Sequence, residues 1–481
     1  MKEMELVIIG GGPGGIAAAI EAVKAGVTVV LLDENLKPGG QIYRQFENGF
    51  VVNNPKPLGP AYEKGQALLQ KFESIRNRMT YVNNALVWGL FPERELTYQR
   101  NGISTSIRCQ KLIIAPGAYD RPVPFPGWTL PGVFTAGGAQ RFVKTQGVLP
   151  GENILLAGTG PLQLALASQI ITAGGNIRMI LEAGNVSNWP EFIKGIWGQW
   201  ELLSEGWQYM RNIVKARVPI LRRHIILEVR GKDHVEEALI AQVDGNWRPL
   251  KKTRRTVPVD TVCLGYGLVP STEITRLANC QHQYESRLGG WIPVRHANME
   301  TSVPGIFAVG DGSGVSGSQI ALEEGRVAGI SIAESLGRLS LDEARQQKQP
   351  AMSKLEKLNR FRRVLDRLSL PGPGLYELAH DDTIVCRCEE ITLGEIRKAV
   401  AGGARDINEV KRITRLGMGR CQGRMCGPAI VEIMQREHIS ETPTLRYLNP
   451  RPPFKPIGLG VVMQHESLKE LSQKEEPYRC E

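Results

Sequence analysis

The chain is 481 residues long, room for about three domains at roughly 150 residues each. Apolar residues at 42% and charged residues at 22% are ordinary for a folded protein and exclude wholesale disorder. The net charge of +10 comes from 59 basic against 49 acidic residues, scattered rather than striped, which argues against a nucleic-acid-binding protein.

Glycine, at 53 residues, is about 11% of the chain against a usual share of roughly 7%, and this points to tight turns and close backbone approaches. No apolar run reaches the roughly 18 residues that a spanning helix needs, so no transmembrane segment is predicted. Met1-Lys2-Glu3-Met4 leads straight into Leu6-Val7-Ile8-Ile9, which predicts no signal peptide and a cytoplasmic protein. Disulfides are rare in that compartment, so eight cysteines need another use. Cys109, Cys263, Cys280 and Cys480 stand alone and read as structural thiols.

Residues 5–34 predict a βαβ unit. The strand Leu6 to Ile9 meets Gly10-Gly11-Gly12-Pro13-Gly14-Gly15, an Ala-rich helix follows, and a second strand ends at Asp33 and Glu34. Asp33 lies 23 residues after the first glycine of this GxGxxG, the spacing of a dinucleotide fold. Gly10 makes the turn, Gly12 admits a pyrophosphate and Gly15 lets helix approach strand. The helix N-terminus offers free N–H groups to phosphate, and Asp33 an acceptor for ribose hydroxyls.

Three further pieces follow in order: Gly39-Gly40-Gln41, the strand Leu112 to Ala115 with Pro116-Gly117, and Thr301 to Val309 ending in Gly310-Asp311. Together these resemble the two-dinucleotide-domain flavoprotein superfamily, and the resemblance implies FAD. It also implies that Asp311 holds the ribityl and pyrophosphate region and that Gly39–Gln41 closes over the flavin. Pro116 stands where that superfamily usually has Thr.

A second unit lies inside the first: Asn153 to Ala157, then Gly158-Thr159-Gly160-Pro161-Leu162-Gln163, then Ile177 to Leu181 capped by Glu182. Gln163 replaces the third glycine and is expected to push helix and strand apart. Gly158, Gly160 and Glu182 leave a pocket for an adenine nucleotide, and an empty, merely structural site stays open beside it. No CxxC or CxxxxC pair accompanies the flavin module, so electrons leaving a flavin need a different outlet.

Cys386-Arg387-Cys388 and, 32 residues on, Cys421-Gln422-Gly423-Arg424-Met425-Cys426 supply one. Residues i and i+2 of an extended segment share a side, so Cys386 and Cys388 can serve one site. Glycines around the second pair let N–H groups reach sulfur. Thr392 to Ala401, with a Thr392/Glu395 capping box, and Ile407 to Thr414 read as helices between the pairs. Four cysteines suit [2Fe–2S] or zinc, and the CxC opening with the need for a one-electron acceptor favours [2Fe–2S]. Residues 384–435 resemble the bacterioferritin-associated-ferredoxin-like module.

Pro38 to Arg44, Ala157 to Pro161 and Gly417 to Cys426 carry a wider resemblance, spanning Leu6 to about Val462. The chain is similar to the flavin/iron–sulfur subunits of hydrogen cyanide synthase, opine oxidase (octopine and nopaline dehydrogenase), D-hydroxyproline dehydrogenase and heteromeric L-proline dehydrogenase. The expected fold class is α/β, a two-dinucleotide-domain flavoprotein with a small helical C-terminal [2Fe–2S] domain.

That resemblance implies an electron-transfer subunit, partnered by an amino-acid-oxidase-like FAD β subunit with a small ferredoxin-like chain. It implies a quinone or cytochrome as acceptor, room for FMN at a subunit interface, and peripheral membrane association only through the complex. A self-contained NAD(P)H-dependent reductase and a zinc-stapled scaffold are the alternatives.

The expected divisions are 1–120 with 290–335 for FAD, 121–289 for the second nucleotide fold, 340–380 as a helical linker, 384–435 for the cluster and 436–481 as an extended tail. No catalytic acid–base constellation is assigned; His224, His282 and His296 read as surface or structural residues. Trp189, Trp197, Trp200 and Trp207 form a cluster that reads as core first and partner contact second. Lys411, Arg412, Arg415, Arg420 and Arg424 read equally as a solvated face or as a run that docks an acidic partner or tunes the cluster.

Overall fold

The computed structural model describes residues 3–46, 49–50, 60–184, 200–436, 446–463 and 465–467. Its first sheet grows from strands whose residues are apolar and buried on both faces, the signature of a parallel sheet under helices. Glu3–Ile9 lies between Val29–Leu32 and Ile103–Ile114, parallel to both, with Val7 opposite Val30 and Leu112. Ile306–Ala308 adds in parallel on Ile103–Ile114, which places Phe307 opposite Ile113. Leu86–Phe91 and Glu95–Arg100 extend the sheet as an antiparallel meander.

Two helices cover this sheet at unusually short range. A Cβ at Gly325, in Ser318–Ser335, would lie 2.1 Å from the Gly14 carbonyl oxygen of Pro13–Lys24. One at Gly329 would lie 2.5 Å from the carbonyl oxygen of Ala18. The glycines therefore set the crossing distance, and the crossing in turn sets both helix N-termini beside the Gly10–Gly15 turn.

The second sheet is parallel and five-stranded, in the order Ile220–Arg222, Ile177–Glu182, Ile154–Gly158, Thr261–Gly265, Val133–Thr135. Beside it lies an antiparallel meander of His224–Arg230, Glu237–Gln242 and Arg255–Pro258.

Leu341–Ser369 is one 29-residue helix, opened by a Ser340/Glu343 capping box and containing Pro350. Lys348–Glu334 at 2.7 Å and Lys354–Glu323 at 2.9 Å fasten it to Ser318–Ser335. The last module is small: a hairpin of Ile384–Cys386 and Ile391–Thr392, then helices Leu393–Ala401, Ile407–Thr414 and Gly427–Arg436. The Thr392/Glu395 capping box read in the sequence is present.

Within the tail, 446–458 has no helix or strand, Leu459–Met463 is a short helix, and His465–Ser467 pairs with Ser104–Ser106 where extended chain was expected. Among the described residues no helix is long and apolar enough to cross a membrane.

The helix crossing is testable. Gly325→Ala is expected to cost about 1–3 kcal/mol, because its methyl meets backbone that cannot give way. Gly206→Ala, on a helix with open space around the new methyl, should stabilise by roughly 0.5–1 kcal/mol. Urea unfolding of both variants checks the pair.

Candidate functional site

The first nucleotide loop is backbone packed on backbone. Gly10 has φ +105°, and a side chain there would meet the Ala115 carbonyl oxygen at 2.2 Å. A Cβ at Gly15 would lie 1.9 Å from the Gly10 carbonyl oxygen, so helix sits directly on turn. Gly39 N–H donates to the Gly11 carbonyl at 2.8 Å, and Gly40 stacks on Gly12. A Cβ at Gly12 would meet only the Gly40 Cα, at 3.8 Å. The Pro13–Lys24 and Ser318–Ser335 helices both begin after a glycine with no side-chain cap, which leaves their first N–H groups for a ligand.

Asp33 is 2% exposed at the end of its strand. One carboxylate oxygen accepts from the Asn35 N–H and side-chain amide, both at 3.0 Å, while Oδ2 has no partner. Burial pushes its pKa up, against those hydrogen bonds. Asp311 accepts from the N–H groups of Ser316 at 2.9 Å and Gly317 at 2.8 Å, and burial raises its pKa as well. Gly310 N–H donates to Glu324 at 2.7 Å, and Glu324 pairs with Arg295 at 2.8 Å.

Gly117, at φ +74°, lies between the strands Ile103–Ile114 and Ala118–Asp120 and accepts from Ser271 N–H at 3.1 Å. Gln41 is exposed and bonded to Arg44; Glu34 pairs with Lys455 of the tail. An orphaned buried acceptor, a side-chain-free cradle and two uncapped helix ends fit a flavin dinucleotide.

The second loop is more crowded. A Cβ at Gly158 would strike the Gly265 carbonyl oxygen at 2.2 Å, and one at Gly160 would lie 2.9 Å from Ser369 Oγ at the end of the long helix. Glu182 accepts from Gly184 N–H at 2.9 Å and is raised in pKa by burial. Gln163 does not part helix and strand as expected. It lies buried between them and donates from Nε2 to the Leu181 carbonyl at 2.9 Å, while Ile177–Glu182 still pairs with Ile154–Gly158.

The four clustered cysteines meet. Cys386 and Cys426 are buried and hydrogen-bonded to each other, and Cys388 and Cys421 form a second pair nearer the surface. That bond from Cys426 draws the Cys386 pKa down to about 6 against the cost of burial, helped by the N–H groups of Gly417, Glu389 and Cys388. Gly417 N–H lies 3.5 Å from the Cys386 sulfur. The neighbouring Cys386 and burial drive the Cys426 thiol upward.

Among the described residues, no group of three or more His, Cys, Asp or Glu side chains is placed to hold one metal ion. Four thiols arranged in twos suit a pair of irons, each taking two sulfur ligands beside the bridging sulfides. The remaining described cysteines are buried apart; burial lifts Cys109 and Cys263 to about 12.

The module is wired into the flavin fold. Trp128 Nε1 donates to the Ile384 carbonyl at 2.6 Å, and Tyr284 donates to Glu432 at 2.5 Å. Arg424 pairs with Glu273 at 2.9 Å and donates to the Cys421 carbonyl at 3.2 Å. Arg424 thus leaves the basic run to serve the interior; Arg415 pairs with Glu389 at 3.1 Å. Glu273 and Glu324 carried no motif signal, because each matters through a partner distant in sequence.

Trp207 is 74% exposed and so is not core. Trp189 and Trp197 lie outside the described residues. His282 is tied to Cys280 and Thr275 at 2.8 and 2.9 Å, a structural role.

Residues 4–325 match the family described as pyridine nucleotide-disulphide oxidoreductase, and residues 384–436 match the BFD-like [2Fe-2S] binding domain. The chain is 33% identical to an opine oxidase subunit from Rhizobium meliloti, over 96% of this chain and 87% of that one. It is 32% identical to hydrogen cyanide synthase subunit HcnB of Pseudomonas aeruginosa, over 94% and 96%. The crystal structure of L-proline dehydrogenase from P. horikoshii superposes with a TM-score of 0.68 at 20% identity, covering 96% of this chain and 79% of that one, which shows a common fold.

Arg424→Gln is expected to cost about 2–4 kcal/mol by leaving the Glu273 carboxylate buried and unpaired. Arg412→Gln, whose pair with Glu409 is exposed and 3.9 Å long, should cost less than about 0.5 kcal/mol in the same urea titration.

Burial lowers the His282 pKa to about 4 from 6.5. The folded value lies below the unfolded one, so the stability of the neutral ring is complete above pH 6.5 and is lost as pH falls toward 4. His282→Gln should flatten unfolding free energy across that window by on the order of 2–3 kcal/mol.

Proposed function

Because the chain belongs to the pyridine nucleotide-disulphide oxidoreductase family and carries a BFD-like [2Fe-2S] binding domain, we propose that it is the electron-transfer subunit of a heteromeric dehydrogenase or oxidase acting on secondary amines or on amino or imino acids. It is an oxidoreductase whose cofactors are FAD and a [2Fe–2S] cluster. The observation that carries the reading is the gathering of Cys386, Cys388, Cys421 and Cys426 in a module docked on the flavin fold, with every other described cysteine buried apart. The amine or amino-acid donor class is supported by the likeness to opine oxidase and by the L-proline dehydrogenase fold.

Bound together, the flavin takes electrons in twos and the cluster passes them singly. Gly12, Gly14 and Gly15 offer N–H groups to the pyrophosphate, Gly10 makes the turn and Pro13 opens the helix beneath it, Asp33 Oδ2 accepts a ribose hydroxyl, and Asp311 fixes the turn that starts the Ser318–Ser335 helix. Gly39, Gly40 and Gln41 close over the ring, and Gly117 keeps backbone near it. The four cysteines bind the cluster, and the Gly417 N–H disperses charge on the Cys386 sulfur. No general acid or base is assigned.

The FAD domain is taken as 1–120 with 290–335, the second nucleotide domain as 121–289, the linker as 340–380, the cluster domain as 384–435 and the tail as 436–481. An adenine nucleotide at Gly158, Gly160 and Glu182 and an FMN at a subunit interface belong to the same proposal. So do an amine-oxidising FAD β subunit, a small ferredoxin-like chain, a quinone or cytochrome acceptor, and a cytoplasmic, peripherally membrane-associated complex. A self-contained NAD(P)H-dependent flavin and iron–sulfur reductase is the alternative reading.

Anaerobically purified chain is expected to carry FAD, iron and sulfide, to give the low-temperature spin signal of reduced [2Fe–2S], and to oxidise amines only when co-purified with its partner. Full-rate amine oxidation by the isolated chain would overturn its placement in a heteromeric complex. Bleaching of the flavin by NADH within seconds would favour the self-contained reductase.

A further inference from the structure

The domain matched as the iron–sulfur module ends at residue 436, yet the cysteine loop is walled by residues beyond it. Gly417 and Gly423 have φ of +76° and +82°, and a Cβ on either would lie 2.3 or 2.4 Å from Leu448 Cδ1. Leu448 is 7% exposed and shares a core with Cys386, Leu416 and Cys426. Both glycines are thus needed twice: for the left-handed turns, and for the space that one leucine methyl fills.

The segment carrying Leu448 is fastened at several points. The Leu448 carbonyl accepts from Arg276 at 2.5 Å, and Asn449 N–H donates to Asn408 Oδ1 at 3.0 Å. The Tyr447 ring lies under the Arg276 guanidinium, 5.8 Å from ring centroid to Cζ. Phe454 is buried in the flavin fold, its N–H on the Trp88 carbonyl at 3.0 Å, and Lys455 pairs with Glu34.

We propose that residues 446–456 are a strap that completes the cluster site, with Leu448 as the plug that keeps water off the Gly417–Gly423 turns and holds the Gly417 N–H on the Cys386 sulfur. The proposal rests on the reading of the four cysteines as cluster ligands. A hydrophobic shell governs solvent access to a metal centre, and its loss leaves ligands open to exchange.

The test uses the full chain, purified anaerobically, in wild-type, Leu448→Ala, Leu448→Met and Asn408→Ala forms. Cluster loss to EDTA is followed by visible absorbance, and coupling of solvent deuterons to the reduced cluster by pulsed spin-echo spectroscopy in D2O. Leu448→Ala is expected to lose its cluster about tenfold faster and to show stronger deuteron coupling, with Leu448→Met close to wild type. Asn408→Ala, which frees Asn449 without opening a cavity, should move both readouts the same way by less; it keeps the test alive if Leu448→Ala does not fold.

Wild-type loss rate and coupling in a folded Leu448→Ala would overturn the strap while leaving the cluster reading intact. If Leu448→Ala does not fold, a wild-type loss rate and coupling in Asn408→Ala would overturn it. A wild-type chain free of iron and sulfide would overturn both.

Discussion

A guanidinium almost sealed from water joins the parts of this molecule. Arg121 donates to Tyr376 Oη at 3.1 Å and to the Gly289 carbonyl at 2.9 Å, and so ties the segment after the long helix to the flavin fold. Burial works against its charge, but Tyr376, Tyr447 and Glu432 outweigh it and hold the group protonated above its usual range. Those partners come from the segment after the long helix, the strap and the last helix of the cysteine module. A charge that must stay buried tolerates few alternative arrangements, since losing any partner leaves it poorly compensated. The two redox modules are therefore parts of one packed body rather than beads on a linker.

What the sequence disclosed was local. The Gly10–Gly15 turn, Asp33 and the Thr392/Glu395 capping box each lie within one or two turns of chain or one βαβ unit, where spacing alone carries the geometry. The CxC and CxxxxC pairs were legible for the same reason, since each pair sits on one loop. The convergence of the two pairs was inferred from chemistry rather than from any pattern.

The misreadings were of long-range relations. Gln163 was expected to wedge helix from strand because glycine is the usual occupant. Its Nε2 instead donates to the Leu181 carbonyl 18 residues on, a partner that no local pattern points to. Arg424 sat in a basic run that left a solvated face, a partner dock and cluster tuning all open, and Glu273 draws it inward from 151 positions earlier in the chain. Leu448 gave no signal at all, because a single leucine in a proline-rich tail has no period to betray what it covers. Trp207 looked like core and stands in solvent, since aromatic spacing says where a face is and not what lies on it.

The placement of Ile306–Ala308 beside Ile103–Ile114 has a bearing on biosynthesis. Ile103–Ile114 pairs with two strands made before it, but its edge at residues 112–114 stays open until a neighbour nearly two hundred positions later is made. At roughly 5–20 residues per second that interval lasts on the order of tens of seconds. During it the inserted sheet is free to fold first, and Asp311 has not yet emerged to complete the cradle. Of the residues that form the flavin cradle, Asp311 and the start of the Ser318–Ser335 helix are thus the last to be made.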